Sequence, residues 1–329
     1  MKKRNVFKRK RDIDYTYAVA RVRANEHSLL TAQDVEQLIL AEDYNAVMRR
    51  LSDAGWGEFD GTTDYASYLE NYFAKTWDLL NEIMDDIHEL DFLLIKNDAQ
   101  NLKGALKGIV SQHDTEGLYS KSTVYDTKAI VAAVEEREFD ELPEFMIEPA
   151  KEAYEVLTST ANGQLADAII DKATLEEISK LGKAAKNSKL TERMVATANI
   201  KAAVRCAKTN KTREFMERSL SECDTLSKEK LIETALEGPE AVLTYLESTN
   251  YKEAVEKIKE STSAFEKWCD DILMECVMEA KYTAFGIAPL IAYYIARDAE
   301  IKTVRIILSA KINNLSTDLI RERVRTLYV

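Results

Sequence analysis

Few residues of this chain stand at spacings that do chemistry. Asp85 and His88 are three apart, the spacing that puts a carboxylate and an imidazole on one helix face in carboxylate-bridged di-metal bundles. Such a site needs a second pair and further glutamates. The chain has only 3 histidines, so a surface or capping role for His88 is the better reading. Cys269 and Cys276 are seven apart and share a helix face, where a soft metal or a redox couple could form. No CxxC joins the 4 cysteines, Cys206, Cys223, Cys269 and Cys276. That excludes zinc ribbons and fingers, and small buried side chains are expected instead. Gly104 and Gly108 lack the Lys-Ser/Thr of a phosphate loop, and close helix packing is their expected role. Gly55-Trp56-Gly57 lacks the third glycine and the preceding strand of a dinucleotide turn. No catalytic residue, metal or cofactor is expected.

The elements that would position any site are helices. The 329 residues include 10 glycines and 4 prolines, where an average chain would have roughly 40. That scarcity argues for long helices and against barrels and Gly-loop nucleotide folds. Residues 13–30 predict a first helix, with Tyr17, Ala20, Ala24 and His27 on one face and Arg21 and Arg23 flanking it. Thr31 with Asp34 marks the start of a second, and Thr174 with Glu177 gives the same signal again. Residues 52–63 form a loop, and a long helix is predicted over 65–95. Gly238-Pro239 marks a break. Helices are predicted over 262–284 and 288–313. The longest uncharged run, 282–296, has 15 residues; a bilayer-spanning helix needs about 20. It reads as a buried core helix, and the chain is expected not to span a membrane.

Charge is unevenly spread. The net charge is −12, opposite in sign to that of a general nucleic-acid binder. Residues 131–180 are acidic, whereas 301–329 carry a basic excess. Lys2, Lys3, Arg4, Lys8, Arg9, Lys10 and Arg11 make residues 1–12 a basic arm. No apolar stretch follows it, so it is not read as a signal peptide. It suits a solvated terminus, anionic lipid or an acidic partner.

A triplet recurs. Asn101-Leu102-Lys103 returns as Asn199-Ile200-Lys201 and, more weakly, as Glu300-Ile301-Lys302, each inside an amphipathic helix. The copies lie about 100 residues apart, too far for the common helical solenoids. The expected fold is all-α. Three divergent helical units, 13–117, 118–212 and 213–329, would close around a pseudo-threefold axis. The triplets would then hold inter-helix hydrogen bonds that fix the lobes, with partner contact as the other reading.

Tyr15-Thr16-Tyr17-Ala18 with Ala20-Arg21-Val22-Arg23-Ala24 and Glu26, Asp98 through Lys103, Gln164 through Asp171, and Thr197 through Lys201 form an ordered set. Glu300, Lys302, Arg305-Ile306-Ile307 and Lys311 complete it. In order and spacing the set resembles the C subunit (d in some nomenclatures) of the V-type (A-type) ATPase central stalk. The resemblance implies a funnel of three helical lobes on the cytoplasmic face of the membrane. It further implies a non-catalytic rotor component. The funnel would receive the shaft, made of the coiled-coil D subunit with the F subunit, and rest on the membrane ring of proteolipid subunits. Shaft rotation would thereby be coupled to proton or sodium movement. The candidate partner-contact or lobe-bridging residues are Tyr17, Arg21, Arg23, Glu26, Asn101, Lys103, Asn199, Lys201, Glu300, Arg305 and Lys311. A soluble helical scaffold unrelated to a motor is the alternative.

Overall fold

A computed structural model describes residues 15–59, 61, 64–111 and 119–329. The basic arm, 1–12, lies outside them. All regular structure among the described residues is helical. The α-helices are α1 Thr16–Glu26, α2 Ala32–Leu40, α3 Tyr44–Asp53, α4 Tyr65–Ile83, α5 Asp91–Ser111, α6 Thr127–Glu135, α7 Glu144–Thr160 and α8 Gly163–Ala184. They continue as α9 Ser188–Lys208, α10 Arg213–Glu217, α11 Lys228–Glu237, α12 Pro239–Glu247, α13 Lys252–Glu260, α14 Thr262–Val277, α15 Ala288–Ile312 and α16 Thr317–Arg323. No helix among the described residues is long and apolar enough to cross a membrane.

Local chemistry sets most boundaries. Thr31 and Asp34 form the expected capping box, each side chain bonded to the other residue's backbone N–H. Asp43, Asp64, Asp126, Ser227 and Ser316 cap α3, α4, α6, α11 and α16 in the same chemical way. Gly238-Pro239 separates α11 from α12, as expected.

Two boundaries and one helix face differ from expectation. The predicted helix over 65–95 is two helices: α4 ends at Ile83, and a 3₁₀ turn, Ile87–Leu90, precedes α5. Asp85 and Asp86 follow α4 where the helix dipole disfavours acids, and Asp91 opens α5 where it favours them. Thr174 does not start a helix. It lies inside α8, where its hydroxyl donates to Ile170 O at 2.7 Å. The face of α1 bearing Tyr17, Ala20, Ala24 and His27 is its solvent face, and Ala18, Val19 and Val22 are buried.

The chain forms two compact units, residues 1–87 with 270–329, and 88–269. In the first, α2, α3, α4 and α15 pack around Val35, Leu38, Met48, Leu51, Leu69, Val304 and Leu308. The uncharged run supplies Leu290 through Ala296, all buried. In the second, Leu102, Leu106, Val134, Met146, Ala150 and Ile170 bring α5, α6, α7 and α8 together.

Candidate functional site

The three long helices α5, α9 and α15 carry the recurring triplet. Each uses it to hold the chain that leads into a capped short helix. Asn101 Nδ2 donates to Ser120 O at 3.0 Å, and Ser120 N donates back to Asn101 Oδ1 at 2.8 Å. Asn199 repeats the arrangement on Ser221, at 2.7 and 3.0 Å. Both amides are buried, so both polar ends are satisfied away from water. Ser120 precedes the capping residue Asp126 by six positions, and Ser221 precedes Ser227 by the same number. The third copy closes on the other end of the chain. Leu30, next to the capping Thr31, donates its N–H to Glu300 Oε1.

The lysines of the triplets make ion pairs to other helices. Lys103 reaches Asp171 on α8 at 2.7 Å, and Lys201 reaches Glu266 on α14 at 2.6 Å. Lys302 meets Asp270 on α14 at 2.6 Å and Asp298 at 2.8 Å. Burial works against the charge on Lys302, yet the two aspartates hold its pKa above the ordinary lysine range.

Two partners of this lattice escaped the sequence reading as site residues. Asp98 accepts from Val124 N at 3.0 Å and Tyr125 N at 2.9 Å. Its burial pushes the carboxyl up to about 6, against those two bonds. Arg297 is buried and bonds Glu300 Oε2 at 2.7 Å and Tyr72 at 3.0 Å, as well as Ser28. Each stands three residues ahead of the polar triplet position, on the same helix face. That spacing is the signal that could have found them.

The α1 residues divide by role. Arg23 grips Glu26 at 2.6 and 2.9 Å and bonds the carbonyls of Ala280 and Thr283, the latter at 2.9 Å. It therefore fixes the turn between α14 and α15. That turn presents Tyr282, 91 % exposed, and Phe285, 53 % exposed. Arg21 faces solvent with Tyr17, whose hydroxyl accepts from it at 2.8 Å, and with Glu82 at 3.4 Å. Lys311 donates to the carbonyls of Ile39 and Ala41 at 2.7 and 2.5 Å. A cation there meets the negative end of α2. Arg305 is exposed on α15.

Asp85 lies outside any helix, and His88, on the 3₁₀ turn, has Nδ1 3.2 Å from both carboxylate oxygens of Asp91. The four cysteines are free thiols, with Cys206 and Cys269 buried. A Cβ on Gly104 would lie 3.3 Å from the Tyr119 ring, as close packing requires. Among the described residues no group of His, Cys, Asp and Glu is placed to hold a metal ion.

The family model of the ATP synthase (C/AC39) subunit matches residues 18–323. The chain belongs to that family. Its C/AC39 match takes in all three triplets with the residues they bond. Among relatives, the C subunit of the V-type sodium ATPase of Enterococcus hirae is 24% identical over 318 residues, covering 93% of this chain and 97% of that one. The C subunit of the A-type ATP synthase of Methanocaldococcus jannaschii is 25% identical over 345 aligned positions, covering 93% and 85%. Both of these C/AC39 relatives are named as C subunits, one of a V-type sodium ATPase and one of an A-type ATP synthase.

Proposed function

We propose that this chain is the non-catalytic central-stalk rotor component of a V-type (A-type) ATPase. It joins the rotating shaft, built from the D and F subunits, to the membrane ring of proteolipid subunits, at the cytoplasmic face. ATP hydrolysis or synthesis is thereby coupled to proton or sodium transport. The observation that carries this reading is the C/AC39 match along almost the whole chain, with two C-subunit relatives matched over nearly their full lengths. Three helical units, 13–117, 118–212 and 213–329, arranged as a funnel, are part of the proposal. A coupling element must transmit torque without slipping, and close-packed helices transmit strain well. The triplet joints on α5, α9 and α15 suit that demand, because each locks a loop to a long helix through buried polar bonds.

Partner contact falls to the exposed residues of the first unit. Tyr17, Tyr282 and Phe285 are large, apolar and exposed, and aromatic residues are enriched at interfaces. The test is co-elution of the purified chain with the D–F shaft and with detergent-solubilised ring, separately and together. A ternary complex is expected, and Tyr282→Ser with Phe285→Ser should weaken it at least tenfold without loss of helicity. A folded chain that binds neither shaft nor ring would overturn the reading and leave a helical scaffold.

A further inference from the structure

The three joints are alike in position and unlike in charge. Asn199 holds Ser221 with a neutral amide. In the third copy a carboxylate stands at that position, and a guanidinium has come with it. Glu300 and Arg297 are both buried. Arg297 holds the backbone oxygen and hydroxyl of Ser28 while Glu300 holds the N–H of Leu30. The segment before α2 is therefore gripped by both members of one ion pair. The groups that face the Glu300–Arg297 pair are Tyr293 on α15, which meets Arg297, Tyr72 on α4, and Asp34 on α2, which meets Glu300.

We propose that Glu300 and Arg297 form a titratable clasp, through which the closure of residues 28–30 onto α15 depends on pH, while the asparagine joint at Ser221 closes alike across the neutral range. The inference needs no partner and stands apart from the rotor reading.

Its sign follows from linkage. Burial, opposed by Arg297 and the Leu30 N–H, holds the Glu300 carboxyl up to about 7. Released into water it would titrate near its ordinary value, about 4.3. The closed clasp therefore binds the proton more tightly than the open one. Its stabilisation is complete below about 4 and is lost as pH rises through 7. Between pH 6 and pH 8 the open fraction should rise about tenfold. The second joint offers an internal standard. The carboxylate near it, Glu192, is held below its ordinary value by bonds from Thr225, which outweigh its burial. It stays ionised throughout that range.

Native-state hydrogen exchange of the intact chain, followed by mass spectrometry and corrected for intrinsic rates, tests this. Peptides reporting Leu30 should lose about tenfold in protection from pH 6 to pH 8, and those reporting Ser221 should not change. Glu300→Gln should abolish the difference. Should that variant not fold, the two joints of the unaltered chain decide: a parallel response at Leu30 and Ser221, or none at Leu30, overturns the proposal. Persistence of the Leu30 response in folded Glu300→Gln would overturn it as well.

Discussion

Asn199 uses both ends of its amide on one backbone residue, Ser221, in a dry setting. Asn199→Ala strands a buried N–H and a buried C=O together, which costs about 2–4 kcal/mol. The unfolding free energy should fall by that amount, read as a lower urea midpoint at an unchanged m-value. Asn199→Asp keeps the acceptor for Ser221 N but sets a buried carboxylate oxygen against Ser221 O, so it should destabilise at least as much as alanine. Asp98 predicts a pH effect instead. Its carboxyl titrates near 6 when folded, above its ordinary value, because burial outweighs the bonds from Val124 and Tyr125. Its contribution is therefore complete below about 4 and lost as pH rises through 6, by about 2 kcal/mol. Asp98→Asn should flatten that part of the stability profile, read as urea midpoints from pH 4 to pH 7. Asn101 and Asn199 were legible as members of a repeat. Asp98 and Arg297 were harder to see as site residues, since their worth depends on loops that lie far along the chain or at its other end.

Helices α8 and α9 turn sharply on each other. Lys186 takes a positive φ of 58°, and Asn187 N donates to Gly182 O at 2.7 Å. A Cβ on Gly182 would overlap the side chain of Thr191. Gly182→Ala should cost about 2 kcal/mol through overpacking, and Thr191→Ala in the same chain should recover part of it, both measurable by thermal unfolding. Sequence logic worked where one local signal decides an element. Thr31–Asp34 starts α2 because Thr31 itself is extended and each of the two side chains caps the other's backbone N–H. The same pattern at Thr174–Glu177 fails because Asn162 has already capped α8 and the stripe Ile169, Ile170, Ile178, Leu181 carries the helix through. The break after Ile83 was readable from Asp85 and Asp86, but the apolar residues on both sides masked it.

The first unit is built from both ends of the chain, with residues 1–87 completed by 270–329, whereas the second, 88–269, is continuous. Contacts such as Leu30 with Glu300 leave no periodic trace, so this division could not be read from spacing. Long loop closure slows the pairing of distant segments. In refolding followed by pulsed hydrogen exchange, amides of α5, α8 and α9 should gain protection before those of α2 and α3, and the reverse order would contradict the topology. The same arrangement has a consequence during synthesis. Helices α2 and α3 leave the ribosome well over 200 residues before the α15 surface that covers Val35, Leu38 and Met48. At about 5–20 residues per second, the nascent chain carries that apolar face uncovered for about 10–50 s. A nascent-chain chaperone would therefore find its apolar target on α2 and α3 until α15 is made, and chains that stop before residue 288 would keep that face bare.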